Sequence, residues 1–409
     1  MSINTRSTNN RKMNLRISPK ELRWRQAAVL DFMKQQGLDA FLHFKPDSIF
    51  YLTGFAFVPT ERPAALLQTA DNAAVAFIPH LEIDHCRKAA VVDRIESYRE
   101  YPGETHPMVL LRDILTALGL AGSRIGADSD GYGGRFGYTG PRLSEMMAEA
   151  EVMVHPQLIV KIRQFKSPEE IQLIKEASRW GSHAHQLLQN AIAPGVTETE
   201  IAINASRDAS VVMMETLGPD YDPKAWVPLG VMTGFRGQVG PNSANPHAMM
   251  RNLVLNEGDV LVTYTRPVVW GYYSEMERTL FVGHPTTEQE KYFNLMSTVR
   301  DIALENIRPG KKCSDVDIAV RRFYEEKGLW EYWRHHTGHC LGIEIHEAPF
   351  LDSGDHRLIE PGMVFSVEPG MYLPGLGGFR HSDTVLVTKH GIEMLTHYPT
   401  DIVSCTCIV

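Results

Sequence analysis

Two copies of a helix–turn–helix unit lie in the second half of the chain, and they constrain the fold more than any other feature of the sequence. Each copy ends a helical stretch at a Pro-Gly pair, within residues 191–195 and 306–310, and then starts a new helix with a polar capping pair. The capping pairs are Thr197 with Glu200, and Ser314 with Asp317. Such a repeat indicates an internal duplication. Two duplicated units of helices and strands can surround one central cleft.

Strand-like segments follow the two copies, and all are rich in β-branched or aromatic residues and bounded by turns. They are residues 260–264, 280–282, 363–368 and 384–387. Before the repeat, Ser167, Pro168 and Glu170 form a capping box that predicts a helix from Pro168 to about residue 191. Residues 158–162 are interpreted as an extended segment. The second half is therefore expected to be an α+β domain with helices packed over a curved sheet.

The first part of the chain alternates between two periodicities. Residues 25–35 have helical spacing, and short apolar runs at 38–43, 64–68 and 73–78 indicate strands. This alternation is typical of an α/β domain. The sequence therefore predicts a basic disordered tail over 1–20, an α/β domain over 21–160 and an α+β domain over 161–409.

Composition limits the partners and the compartment. The net charge of −8 argues against a nucleic-acid partner, and no apolar run of about 18 residues predicts a membrane span. Five cysteines, an odd number in a long chain, argue against a disulfide scaffold. A cytoplasmic protein is the simplest interpretation. The basic first 25 residues also permit a transit peptide, but a solvated tail is favoured.

Polar residues that suit chemistry occur in four clusters of the second half. His247 lies in a loop, and Glu275 and Glu277 share one face of a strand, where their repulsion should raise one pKa. His339 lies in a glycine-rich segment that also contains a second histidine. Glu368 ends an apolar strand before a turn. Each cluster alone also fits a solvated loop, a strand edge or a turn cap.

The order of these clusters resembles the pita-bread family, which includes methionine aminopeptidases, prolidases, aminopeptidase P and creatinase. Residues 338–349 (GHCLGIEIHEAP) resemble its histidine motif, and residues 367–372 (VEPGMY) its glutamate motif. Residues 377–385 (GGFRHSDTV) resemble its closing strand. Residues 49–55 (IFYLTGF) resemble the smaller domain of prolidases and creatinase. The resemblance implies a pita-bread catalytic domain behind an N-terminal domain of the creatinase and prolidase type.

The resemblance also implies the positions of the metal ligands. Peptidases of this family hold two divalent ions with two Asp, one His and two Glu residues. In this chain these positions carry Tyr264, Glu275, His339, Glu368 and Ser382. Tyr and Ser are poor ligands for hard divalent ions. A pair of ions is therefore not expected, and a single ion on Glu275, His339 and Glu368 stays conceivable.

Creatinase is the metal-free member, and the sequence is interpreted as closest to it in site pattern. His247 is expected to act as general acid and base, with Glu277 and Glu368 holding a cationic substrate. His339 and His346 are expected to line the pocket.

Further substrate contacts are expected from Tyr264 and Glu275. Arg266 and Arg380 are expected to bind a substrate carboxylate through a bidentate fork. The implied activity is hydrolysis of a C–N bond in a small zwitterion, a creatine-like or ectoine-like amidine or guanidine, without a metal or other cofactor.

Two other functions remain open at the level of the sequence. One is a metal-dependent Xaa-Pro dipeptidase or aminopeptidase, which keeps His339, His346 and Glu368. The other is a non-catalytic pita-bread binding protein, which the loss of ligands at Tyr264 and Ser382 would suit. The resemblance to creatinase and prolidase further implies a homodimer that binds a small-molecule substrate.

Overall fold

A computed structural model describes residues 15–133, 136–225 and 230–408. Its N-terminal domain is built on a mixed six-stranded sheet with the order β4-β3-β2-β1-β5-β6. The strands are β1 (Ala40–His43), β2 (Ala65–Thr69), β3 (Ala74–Pro79), β4 (Arg94–Tyr98), β5 (Arg124–Ala127) and β6 (Glu151–Val154). The helices are α1 (Pro19–Gln36), α2 (Pro46–Thr53), α3 (Ile83–Ala89), α4 (Pro107–Ala117), α5 (Leu143–Met146) and α6 (Leu158–Arg163). The predicted α/β class of this domain is confirmed.

Two predictions for this region need correction. Residues 1–14 of the predicted tail lie outside the described residues, but helix α1 already starts at Pro19, before residue 21. Ile17 is buried, and Ser18 caps α1 by accepting a hydrogen bond from the N–H of Glu21. Residues 158–162 form the helix α6 rather than an extended segment. A short apolar run has no clear period, so packing decided its structure.

The C-terminal domain contains four long helices, which are α7 (Pro168–Asn190), α8 (Glu198–Leu217), α9 (Thr287–Asn306) and α10 (Cys313–Glu326). Its strands are β7 (Val231–Gly234), β8 (Val260–Val262), β9 (Tyr264–Val269), β10 (Tyr272–Tyr273), β11 (Thr279–Val282), β12 (Gly338–Cys340), β13 (Glu347–Leu351), β14 (Val364–Val367), β15 (Gly370–Leu373), β16 (Gly377–Arg380), β17 (Asp383–Thr388), β18 (Gly391–Met394) and β19 (Thr406–Cys407). The predicted capping box of Ser167 and Glu170 starts α7.

The strands of this domain form one large sheet and several small ones. The large sheet has the order β13-β12-β14-β17-β18, and the smaller ones are β10-β9-β7, β19-β11-β8 and β15-β16. Isolated bridges pair Thr265 of β9 with Met276, and Glu277 with Ser382, so the segment between β10 and β11 contacts both β9 and the residue before β17. Helices α7 and α8 pack on β7 and β9. Helices α9 and α10 pack on each other, α9 also packs on β14, β15 and β16, and α10 also packs on β13. This is the predicted α+β architecture.

The internal duplication is visible in the backbone. Gly195 and Gly310 end the two Pro-Gly turns with φ angles of 85° and 86°. The N–H of Gly195 donates to the carbonyl of Leu255 at 2.8 Å, and that of Gly310 donates to Ile359 at 2.9 Å. Equivalent bridges follow two residues later, between Thr197 and Val254 and between Lys312 and Leu358. The duplicated units therefore have the same connections, as the repeat predicted.

One capping pair was placed wrongly. Thr197 caps α8 as expected, but the equivalent position before α10 is Lys312, not Ser314. The carboxylate of Asp315 accepts from the N–H of Lys312 at 3.0 Å. Ser314 and Asp317 lie inside α10 and are buried. Within the described ranges, no helix has both the length and the apolar character needed to cross a membrane.

Candidate active site

Three polar side chains from separate segments of the chain converge in the C-terminal domain. Glu275 lies between β10 and β11, His339 lies in β12, and Glu368 directly follows β14. The Nε2 atom of His339 is 3.2 Å from Glu368 Oε1 and 3.5 Å from Glu275 Oε2. One ligand atom from each of the three residues lies within 4.8 Å of the others. The fold therefore brings together residues that are 93 positions apart in the sequence.

Backbone contacts fix the orientation of this cluster. The Nδ1 atom of His339 is 3.0 Å from the carbonyl of Cys340, which directs Nε2 toward the two carboxylates. The hydroxyl of Thr384 accepts from the N–H of Glu275 at 3.0 Å and donates to its carbonyl at 2.8 Å. The N–H of Glu368 donates to the carbonyl of Thr337 at 2.8 Å. The cluster is thus fixed by backbone hydrogen bonds of the ligand residues and their immediate neighbours.

The electrostatics of the cluster favour a positive charge at its centre. Burial alone would lower the pKa of His339, but close contact with Glu368 and the charge of Glu275 raise it to about 9. Burial and the charges of Glu368 and Glu277 raise the pKa of Glu275, as the sequence predicted for one of the paired carboxylates. Burial acts in the same direction on Glu368, but His339 and Arg380 hold its pKa well below the usual range.

The spacing of the cluster suits one divalent ion. Two ligand atoms at about 2.1 Å from a tetrahedral ion lie about 3.4 Å apart, close to the two distances measured from His339 Nε2. That nitrogen and Glu275 Oε2 are buried and have no hydrogen-bond partner among the described residues. Buried polar atoms of this kind call for a ligand. The residues present therefore fit a single ion.

The remaining positions of a two-ion site do not fit a second ion. Ser382 is buried, and its hydroxyl is 2.8 Å from the hydroxyl of Ser366. Tyr264 lies at the start of β9, where the guanidinium carbon of Arg236 is 5.1 Å from the centre of its ring and that of Arg266 is 5.9 Å away. Guanidinium groups repel a metal ion, so the surroundings of Tyr264 disfavour a second ion.

Glu277 is fixed between two of the guanidinium groups. Arg236 Nη2 donates to its Oε1 at 2.8 Å, Arg380 Nη2 donates to the same atom at 2.9 Å, and Arg380 Nε contacts Oε2. Arg380 Nη1 donates to the hydroxyl of Tyr372 at 2.9 Å, and this hydroxyl is 2.7 Å from His335 Nε2. Arg380 and Glu277 are therefore bound to the protein itself, which leaves Arg266 as the guanidinium most available to a substrate.

The two other histidines predicted for the site have different settings. The ring of His346 stacks on that of His339 with 3.9 Å between centroids, and burial with the charges of His339 and Arg266 lowers the pKa of His346 to about 4. His247 is exposed in the loop after residue 244. Its neighbour Pro246 accepts a long hydrogen bond of 3.5 Å from Arg380. The structure thus places His346 in the cluster and His247 outside it.

Sequence reasoning missed Arg236, Tyr372 and His335. Arg236 follows β7 with a φ of 53°, an uncommon conformation for a residue other than glycine. It carries no motif that would identify it. Tyr372 belongs to the glutamate motif, so the resemblance alone contained a signal for that residue.

A two-domain hydrolase with a pita-bread catalytic domain is the class that this fold and site define. The chain belongs to the metallopeptidase family M24, whose model matches residues 172–389, more than half of the chain. Residues 25–165 match the creatinase and prolidase N-terminal domain.

Relatives and solved structures agree with this assignment. An uncharacterized peptidase of Staphylococcus aureus (strain bovine RF122 / ET3-1) is 28% identical over 375 residues, which are 90% of this chain and 98% of the relative. The Xaa-Pro dipeptidase of Bacillus anthracis is 25% identical with a TM-score of 0.76, over 94% of this chain and 99% of that one. A dipeptidase of Mycobacterium ulcerans shares the fold with a TM-score of 0.78 at 24% identity, over 96% and 100% of the two chains.

The expectation of a metal-independent, creatinase-like amidine hydrolase was wrong. The family is one of metallopeptidases, and the similar proteins are peptidases and dipeptidases. The expectation rested on the loss of ligands at Tyr264 and Ser382, which argues against a pair of ions but leaves three candidate ligands together. With that function, the proposed role of His247 as general base loses its support.

Proposed function

We propose that this protein hydrolyses the amide bond of short peptides, Xaa-Pro dipeptides among them, with one divalent ion held by Glu275, His339 and Glu368. The observation that carries this proposal is the convergence of these three ligands within 4.8 Å. The Xaa-Pro dipeptidase of Bacillus anthracis, similar over nearly its whole length, supports the choice of substrate. Three protein ligands leave room for a substrate in the coordination shell.

The chain's own residues have separate tasks in this proposal. A divalent ion supplies polarisation of the peptide carbonyl and a lowered pKa of bound water. His339 presents Nε2 because its Nδ1 is bound to the Cys340 carbonyl. His346 covers one face of the His339 ring and keeps water from it. Glu277 holds Arg236 and Arg380 at the edge of the cleft.

The number of ions per chain tests this function. Protein freed of metal by a chelator and then incubated with Mn²⁺ or Zn²⁺ should retain close to one ion per chain after desalting, measured by plasma mass spectrometry. Bound ion should also raise the melting temperature. Hydrolysis of Ala-Pro should depend on the ion. Glu275→Gln and His339→Gln should lose both the ion and the turnover.

Ser382→Ala is the matched control, because it removes only the contact with Ser366 and should keep the single ion. Two ions per chain in the wild type would overturn the single-ion site. A chain that binds no ion and cleaves no peptide would favour the non-catalytic alternative. The homodimer and the cytoplasmic location stay predictions from the sequence.

A further inference from the structure

Arg266 is a charged side chain whose contact with the Tyr264 ring leaves its guanidinium hydrogen-bond donors unused among the described residues. Within the described ranges it forms no hydrogen bond and no ion pair, and its Nε atom is buried without a hydrogen-bond acceptor. Tyr264 and Arg266 are two residues apart on β9 and therefore share one face of the strand. Both are half-buried, whereas Thr265 and Pro267 between and beyond them are buried against α7. The shared face is thus the one that opens to the cleft.

Arg266 lies opposite one residue of the Glu275, His339 and Glu368 cluster. The antiparallel bridge between Thr265 and Met276 sets Arg266 opposite Glu275. Its guanidinium carbon is 5.9 Å from the centre of the Tyr264 ring. An anion bound to Arg266 would therefore lie beside the ligands and close to the bond to be cleaved.

A second guanidinium group lies on the same tyrosine and is incompletely neutralised. Arg236 Nη2 is bound to Glu277, but Glu277 is also bound to Arg380. The single carboxylate of Glu277 balances only one of the two positive charges of Arg236 and Arg380. The Nε atom of Arg236 is buried and has no acceptor, and its backbone is held at a φ of 53°. Strained backbone of this kind persists where the surroundings impose it, often at functional sites.

We propose that Arg266 and Arg236, which both contact the ring of Tyr264, form an anion subsite that selects peptides with an acidic side chain. This inference rests on the proposed function. Once Glu275 and Glu368 are ligands of an ion, they no longer neutralise the arginines. Two guanidinium charges then remain, one for the terminal carboxylate of a dipeptide and one for a side-chain carboxylate. Guanidinium groups bind carboxylates through charge-assisted, often bidentate, hydrogen bonds.

Pairs of peptides that differ only in charge test the subsite. Glu-Pro and Gln-Pro place the charge on the amino-terminal residue, and Ala-Asp and Ala-Asn place it on the carboxy-terminal residue. The wild type loaded with Mn²⁺ should show a kcat/KM at least about tenfold higher for the acidic member of one pair. Arg266→Gln should reduce that ratio to near one, because its loss in kcat/KM should be larger for the acidic peptide than for the neutral partner of the same pair.

Two further variants separate a binding role from a structural one. Arg266→Lys keeps the charge without the fork and should restore part of the preference. Arg207→Gln is the control, because Arg207 is exposed on α8 and bound to the neighbouring Asp208, and it should leave all four substrates unchanged. Equal rates for acidic and neutral peptides in the wild type would overturn the subsite. An equal loss on all four peptides in Arg266→Gln would show that Arg266 does not select the side-chain charge and would likewise overturn the subsite.

Calorimetric binding of the same four peptides distinguishes the two proposals. Tighter binding of an acidic peptide without turnover would support the subsite and refute the peptidase. Turnover without any preference for charge, in rate or in binding, would support the peptidase and refute the subsite.

Discussion

At the scale of single residues, Asp317 shows how one buried carboxylate sets the position of the strand that carries His339. Its Oδ1 accepts from the N–H of Thr337 at 3.1 Å and from the hydroxyl of Thr337 at 2.8 Å. Its Oδ2 accepts from Arg321 Nε at 2.6 Å and from the N–H of Ser353 at 3.0 Å. Thr337 immediately precedes β12, which carries His339, so Asp317 ties α10 to the site.

Asp317→Asn should therefore weaken both the fold and ion binding. The amide offers one oxygen where the carboxylate offers two, so a buried donor loses its acceptor, at a cost of about 2–3 kcal/mol. Denaturant unfolding measures the loss, and Mn²⁺ titration should show weaker binding because β12 is less well fixed. Asp352→Asn is the control, because Asp352 is half-exposed and 3.6 Å from Arg321, and surface pairs contribute little. Equal losses in both variants would contradict the role of Asp317.

The residues that the sequence could identify are those that belong to local motifs. Glu275, His339 and Glu368 were found because each lies in a segment whose pattern resembles a family motif. Arg236 and Asp317 lie in no such segment, and their roles come from contacts with residues about 20 to 40 positions away. Asp317 was even assigned to a helix cap, because a buried acceptor and a capping residue look alike in sequence. Tertiary contacts of this kind have no local signature.

At the scale of secondary-structure elements, the two Pro-Gly turns are the joints of the duplicated units. Their glycines have nearly equal positive φ angles, and a Cβ atom on either would meet nothing within 4 Å. The glycines are therefore required by backbone conformation and not by space. Gly338 and Gly378 differ, because a Cβ atom on either would clash with a backbone carbonyl.

Gly195→Ala and Gly310→Ala should each lower the free energy of unfolding by about 1 kcal/mol, the cost of a left-handed conformation for an L-residue. Because the two turns are equivalent and far apart in sequence, the losses should be similar and should add in the double variant. Thermal or urea unfolding measures all three. Gly122→Ala is the control, because Gly122 has open space and no positive φ, and it should be neutral or slightly stabilising. Unequal losses at Gly195 and Gly310 would argue that the units are not equivalent.

Element boundaries were predictable where a cap or a turn fixes them. The capping box at Ser167 and Glu170 gave the start of α7, and the apolar runs gave β1, β2 and β3 within one or two residues. Lysine at the cap position of α10 gave no such signal, so the start of that helix was shifted to Ser314. For α6, Leu158 and Ile159 pack into the core that joins the two domains, and a run of six residues cannot show whether it will pack as helix or strand.

At the scale of the whole molecule, one buried ion network joins the two domains. Arg25 of α1 is 1% exposed, and its guanidinium carbon is 4.1 Å from the centre of the Tyr51 ring. It donates to the hydroxyl of Tyr272 at 3.2 Å and lies 3.5 Å from Glu170. Glu170 caps α7 and accepts from Tyr272 at 2.9 Å. The N-terminal domain thus supplies the positive charge that a buried carboxylate of the catalytic domain needs.

Arg25→Met should destabilise the protein by about 3–5 kcal/mol near neutral pH, because it leaves Glu170 buried without its main counter-charge. Arg23→Met, two residues earlier on the same helix, removes an exposed ion pair with Asp93 and should cost less than about 1 kcal/mol. Guanidinium chloride unfolding of both variants gives the comparison. A small loss in Arg25→Met would mean that the carboxylate finds another partner when the domains lose this contact.

The pH dependence of that loss follows from the titration of Glu170. Burial raises its pKa in the wild type, opposed by Arg25, the N–H of Ser167, Lys166 and Tyr272. Removing Arg25 takes away the largest opposing interaction, so the pKa in the folded state should rise further. A folded-state pKa above the unfolded value means that the folded protein binds the proton more tightly, so stability falls as pH rises through that interval. The deficit of Arg25→Met should therefore be smaller at pH 5 than at pH 8, whereas the small deficit of Arg23→Met should hardly change. Equal deficits of Arg25→Met at both pH values would show that Glu170 stays ionised without Arg25, and would assign the stability of the domain contact to apolar packing instead.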